Sequence, residues 1–175
     1  MAGKNKKKAF TLIELIVVMA LVGVLGLGIA VIFVSANDSI VTLGQQTDVT
    51  TKTNFAMDTV QTYLKYAKGL TIHETANEAK EAGRTYLYSK DGRIYIQKGS
   101  NASEDMFNEA FYEGYYAELM ASAIQQNIVK VTVAMTNKND VSVAYSLETD
   151  VVALNTETVV GAAWGLMVSY ETQNP

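Results

Sequence analysis

Glu14 is the acidic side chain least at home in its surroundings. It stands directly before Leu15 to Val34, twenty residues without a charged or polar side chain, and just after a start that carries Lys4, Lys6, Lys7 and Lys8. A carboxylate at the centre of a bilayer costs about 2.5–3.5 kcal/mol, and less at the edge, so an acid at this junction calls for a partner. Two kinds are available. Thr11-Leu12-Ile13-Glu14 fits a helix capping box, with Thr11 as N-cap and the Glu14 carboxylate reaching back to it. A positive charge on a neighbouring staggered helix would serve as well, and such pairing would set the register of a polymer.

Little else in the chain points to covalent chemistry. The 175 residues include one His, one Pro and no Cys. Without cysteine there is no disulfide, no thiolate zinc site and no cysteine nucleophile. His73 alone cannot make a metal site and reads as a surface residue. No G-x-S-x-G elbow, H-E-x-x-H pair or phosphate loop is present, so the expectation is a protein that is no enzyme and uses no cofactor and no metal. Asp105, Glu109 and Glu113 read as the solvated face of a helix, because neither EF-hand spacing nor its turn glycine accompanies them. The formal charge is −4, and the basic residues beyond the first eight are scattered among carboxylates, which argues against direct nucleic-acid binding.

The element that positions Glu14 is the apolar run behind it. Twenty residues at about 1.5 Å each span roughly 30 Å as a helix, the thickness of a bilayer's hydrocarbon core. Lysines precede the run and Asp38 and Asp48 follow it, so the positive-inside rule puts the N-terminus in the cytoplasm and the bulk of the chain outside. A secretory signal ending at Val34-Ser35-Ala36 is the competing reading, but such signals carry an apolar run of only about 7–15 residues.

The junction as a whole, KKKAFTLIELIVVMALVGVLGLG, resembles the N-terminal signal of type IV pilins and of the pilin-like subunits of type II secretion and competence systems. The resemblance implies a basic leader, residues 1–9, in which Lys6, Lys7 and Lys8 supply the charge. It implies cutting by a prepilin peptidase between Ala9 and Phe10, N-methylation of Phe10, and a filament-assembly role for Glu14. Ala9 stands where the family usually has Gly. The α-amine freed at Phe10, with an ordinary pKa of about 7.7–8, would be the cationic partner that Glu14 needs. Cleavage would also remove four of the 14 basic residues, leaving ten against 18 acidic ones and a net charge of −8.

The expected fold is α+β and pilin-like, a long N-terminal hydrophobic helix packed on an antiparallel β-sheet, with an additional inserted helix. Residues 10–35 form the membrane or filament-core half of the long helix and residues 36–175 an exported head. Met57, Val60, Leu64 and Ala67 recur at helical spacing, so one helix is expected from about Phe10 to Lys68, with a break near Gly44 and the Thr47 to Thr53 cluster. Gly23, Gly26 and Gly28 permit either local irregularity or close helix packing. Residues 70–84 read as a connecting loop, and Asp91-Gly92 joins a hairpin from Thr85–Tyr88 and Arg93–Gln97. The inserted helix is placed at residues 103–127, capped by Ser103, with a core stripe of Phe107, Phe111, Tyr115 and Leu119, and with Tyr112 and Tyr116 available for contact. Strands are expected at Ile128–Met135, Val141–Leu147, Val151–Val160 and Trp164–Tyr170.

The function that follows is a structural subunit of a type IV pilus or related filament, held in the lipid bilayer before assembly. Its partners would be other pilin subunits, the prepilin peptidase and the membrane assembly machinery. It would be a single-pass membrane protein with a cytoplasmic N-terminus and then part of an extracellular filament on the bacterial surface. Two alternatives share the same sequence features: a membrane-tethered binding or adhesion domain that does not polymerise, and a minor pseudopilin of a secretion or competence system.

Overall fold

A computed structural model of the chain describes residues 11–172. Two compact units divide it, Met1–Leu43 and Gly44–Pro175. The long helix α1, Leu12–Lys65, runs without interruption through all four of its glycines and through the threonine cluster. The expected break is therefore absent, for a reason visible in the side chains. Thr50, Thr51 and Thr53 donate their hydroxyls to the carbonyls of Gln46, Thr47 and Val49 at 2.7–2.8 Å, so these groups are satisfied inside the helix instead of competing with it. Burial of Val49 and Thr53 adds packing that intrinsic propensity does not count. Shortly after the helix Gly69 takes a left-handed φ of 62°, as expected of a chain leaving a helix there.

Among the described residues the second unit holds the rest of α1, ten strands and one helical turn: β1 (Thr71–His73), β2 (Arg84–Lys90), β3 (Arg93–Lys98), β4 (Glu104–Asp105), α2 (Glu109–Tyr112), β5 (Tyr115–Gln125), β6 (Ile128–Asn137), β7 (Ala144–Val152), β8 (Val160–Gly161), β9 (Trp164–Gly165) and β10 (Met167–Glu171). The strands form two sheets, one in the order β4-β3-β2-β10-β1-β8 and one in the order β7-β6-β5-β9. All neighbours are antiparallel except β1 and β8. The β2–β3 hairpin turns at Asp91 (φ 50°) and Gly92 (φ 76°), the pair of positive φ values that an Asp-Gly hairpin turn requires.

Alternation sets the core. Val129, Val131, Val133 and Met135 of β6 face inward with the intervening residues partly exposed. They join Met57, Val60 and Leu64 of α1, Leu87 and Ile94 of the hairpin, and Val168 of β10 in one apolar cluster. A long N-terminal helix packed on antiparallel sheets is the α+β, pilin-like fold expected from the sequence.

Three expectations need correction. Most of 103–127 is strand: an additional helix exists, but it is the single turn α2, capped by Asn108 and not Ser103. An i, i+4 stripe is also in phase with a period of two, and from Tyr115 onward Tyr115, Ala117, Leu119 and Ala121 are buried while Tyr116, Glu118 and Met120 are exposed. Pairing to β6 and β9 overrides the helix-forming Ala, Glu, Leu and Met of that stretch. In the second place, the strands expected at Val141–Leu147 and Val151–Val160 are one strand, β7, followed by a loop, and the one expected at Trp164–Tyr170 is two, β9 and β10, which pair in different sheets. Lastly, the supposed connecting loop at 70–84 contains β1, which lies between β10 and β8. There the 160–165 loop passes so close that a Cβ on Gly161 would collide with the Ile72 carbonyl.

Candidate functional site

At the start of α1 the capping box is formed. The Thr11 backbone N–H donates to Glu14 Oε2 at 2.8 Å and the Thr11 hydroxyl to the same oxygen at 2.9 Å, while the Glu14 N–H donates to Thr11 Oγ1 at 3.3 Å. Thr11 O also accepts the first helical bond, from Leu15 N–H. The carboxylate thus sits at the positive end of the helix dipole, held by one residue through one oxygen. Its other oxygen, Oε1, has no hydrogen-bond partner among the described residues. Ala9, Phe10, Lys6, Lys7 and Lys8 lie outside the described residues.

Behind the box the helix surface is apolar on every side. Every residue from Leu12 to Leu43 is exposed, and the helix contains an 18-residue window of mean hydropathy 3.0, long and apolar enough to cross a membrane. A Cβ on Gly23, Gly26 or Gly28 would meet nothing within 4 Å. The chain itself therefore gives those glycines no close-packing role.

The remaining candidate residues turn out to brace the second unit. Tyr112, expected as a contact residue, is buried. Its hydroxyl donates to the Ile94 carbonyl at 2.9 Å and accepts from the Ile94 N–H at 3.2 Å, and burial pushes its phenol up to about 12. Tyr116 is half exposed, with Lys138 Nζ 5.1 Å from its ring centre. Phe107 and Phe111 stack on one another at 4.3 Å and meet Phe55 of α1 at 5.6 and 6.1 Å. The acidic residues are not merely solvated: Arg93 donates to Asp105 Oδ2 (2.8 Å) and forks onto Glu109 (2.6 and 2.7 Å), so the guanidinium holds the Glu109 carboxyl below the usual range.

His73 is placed differently from the expectation. Its side chain is only 17% exposed, with Nδ1 2.9 Å from Glu78 Oε2 and Nε2 2.7 Å from Ser169 Oγ, which also accepts from Arg84 Nε at 3.0 Å. Serine, histidine and carboxylate follow one another in the order used for hydrolysis. Ser169, however, has no solvent exposure, so a substrate carbonyl has no path to its hydroxyl. Arg84 extends the network to Gly69 O and Thr71 Oγ1, tying β1, β2 and β10 together. A lone histidine in sequence gave no hint of this; its partners are five residues away in Glu78 and 96 away in Ser169.

Residues 4–30 match the family model of the prokaryotic N-terminal methylation motif, the prepilin-type signature. No curated protein and no solved structure matches the chain. The methylation motif leads into an exposed apolar helix long enough to cross a membrane, and an α+β unit is folded on the rest of that helix, the features of a membrane-anchored, pilin-like chain. The chain carries the signature that marks type IV pilin- and pseudopilin-like proteins.

Proposed function

We propose that this protein is a structural subunit of a type IV pilus or related pilin-like filament, made as a precursor, cut between Ala9 and Phe10, N-methylated on Phe10 and polymerised through the first half of α1. The observation that carries the reading is the methylation motif at residues 4–30 running into a helix half with no buried residue of its own. Residues 1–9 are then a leader recognised through Lys6, Lys7 and Lys8, residues 10–35 the part that passes from lipid to the filament core, and residues 36–175 the exported head. Such a half-helix is stable only in lipid or against like helices. Exchanging one for the other brings in heterologous contacts that do not close and so extend a fibre. The other subunits are the lasting partners; the peptidase and the assembly machinery act in passing.

The Glu14 geometry supports a two-stage role. In the single chain Thr11 satisfies one carboxylate oxygen, which lowers the cost of holding an acid at the membrane edge. The second oxygen remains for the Phe10 α-amine of a neighbour, and that charge-assisted contact would fix the stagger between subunits.

N-terminal sequencing with intact mass of the cell-derived protein tests the reading. A chain beginning at N-methyl-Phe10 is expected. An intact leader would make the protein a tethered, non-polymerising domain, and a start at Asn37 would make it an ordinary secreted one.

A further inference from the structure

A cavity of about 510 Å³ lies within the Gly44–Pro175 unit, between the end of α1 and the sheet strands β2, β3 and β10. Its walls carry Tyr63 from α1, Tyr66 from the turn just after it, Tyr170 from β10, Lys98 from β3, and Asn101 and Glu104 beyond it. Tyr170 is the most telling of these. Only 7% of it is exposed, and no described residue hydrogen-bonds its hydroxyl. Yet no buried side-chain oxygen or nitrogen among the described residues lacks a partner, so this hydroxyl meets the cavity. Burial, and then the nearby Tyr63 phenol, push its ionisation upward and keep it a neutral donor and acceptor. The side chains of Lys98, Asn101 and Glu104 make no hydrogen bond or ion pair with any described residue, which leaves an ammonium, an amide and a carboxylate available on residues that line the cavity.

The lining selects among ligands. One carboxylate is too few for a cation, and no group of three metal-binding side chains occurs among the described residues. Lys98 is offset by Glu104, so there is no excess charge to hold an anion. A lipid tail would leave the amide, the ammonium and the phenols unpaired. A pyranose ring suits all of these groups, since its C–H face lies on a tyrosine ring and its hydroxyls both donate and accept. The volume falls in the range of about 300–1,000 Å³ common to small-molecule sites. We propose that this cavity is a glycan-binding site that takes a hexopyranose unit, with Tyr63 and Tyr66 as stacking surfaces and Tyr170, Asn101, Lys98 and Glu104 reading its hydroxyls.

The site does not depend on polymerisation, so its failure and that of the filament reading are separable. Saturation-transfer NMR on the full chain in dodecylphosphocholine micelles tests it, with glucose, galactose, mannose, N-acetylglucosamine and N-acetylgalactosamine as probes. Transfer to at least one sugar is expected. Tyr63→Ala and Asn101→Ala should each weaken it at least about tenfold, and Lys130→Ala, on the other sheet, should leave it unchanged. Tyr63 is 42% exposed, so its truncation spares the core; Lys98→Ala provides the comparison if thermal unfolding shows either variant misfolded. No transfer to any probe overturns the proposal, as does transfer indifferent to these substitutions. Binding that appears only after deletion of residues 173–175 also overturns it, since the chain's own tail would then be the occupant.

Discussion

The two halves of α1 have the same backbone and opposite sources of stability. From Leu12 to Leu43 no side chain is buried; from Val49 to Leu64 the helix buries Val49, Thr53, Ala56, Met57, Val60 and Leu64 against the sheets. The second half reads as amphipathic because its apolar residues must share one face. The first half has no polar face to place in water, and its two charged residues, Glu14 and Asp38, flank the apolar run. One continuous helix is therefore half a folded domain and half an element that needs a surrounding phase. A subunit that leaves a membrane for a fibre is the protein for which such a division is useful.

Glu14→Ala attacks the first half most directly. The variant should remain membrane-bound and have its leader removed, yet be absent from sheared filaments, as read by immunoblot of sheared and cell fractions. Glu14→Gln sharpens the test, because a glutamine still completes a capping box but carries no charge. Loss of incorporation in both variants assigns the effect to charge pairing. Normal incorporation of the glutamine variant would reduce Glu14 to a helix cap.

Truncations break the comparison in the other direction. Leu64→Ala removes a fully buried side chain and should destabilise the second unit by about 2–5 kcal/mol in denaturant unfolding of the micelle-bound chain. Leu27→Ala removes an equally large side chain that is 71% exposed, and the same transition should not move. Equal effects would mean that the first half is packed on something within the chain and that the division drawn here is wrong.

How much of this could be read from sequence follows the same line. The apolar run, the capping box and the methylation motif are local, and each is set by neighbours within a few residues, so each was legible. The Asp91-Gly92 hairpin was legible too, because a two-residue turn carries its own conformational requirement. The segment at 103–127 was not. Its alanines, glutamates, leucine and methionine favour helix locally, and only the antiparallel partners β6 and β9 make Tyr115–Gln125 a strand. Tyr112 and His73 were misjudged for the same reason: one is buried with its hydroxyl on Ile94 and the other is partly buried against Ser169, both partners distant in the chain. The capping contacts of Glu14 were readable from four consecutive residues, whereas the cavity around Tyr170 joins residues from four separate stretches and left no trace in any one of them.

Acid offers the gentlest separation of the two regions, because the bracing of the second unit is partly titratable. Glu78 accepts from His73 Nδ1 and from the Thr75 N–H, and these contacts, the histidine's first, hold its carboxyl below the ordinary 4.5. A carboxylate depressed in the folded state adds stability that is present above its unfolded value and is lost as pH falls through the folded one. The wild-type second unit should therefore melt higher than Glu78→Gln at about pH 7, and the gap should close below about pH 4.5, as followed by scanning fluorimetry at stepped pH. Glu78 is exposed, so solvent screening keeps the gap small. The helical signal of the Leu12–Leu43 half should not follow that titration. Parallel wild-type and variant curves across the whole acid limb would show that the His73–Glu78 contact contributes nothing to holding the 74–83 segment on β1, leaving Arg84 and Ser169 to brace that corner alone.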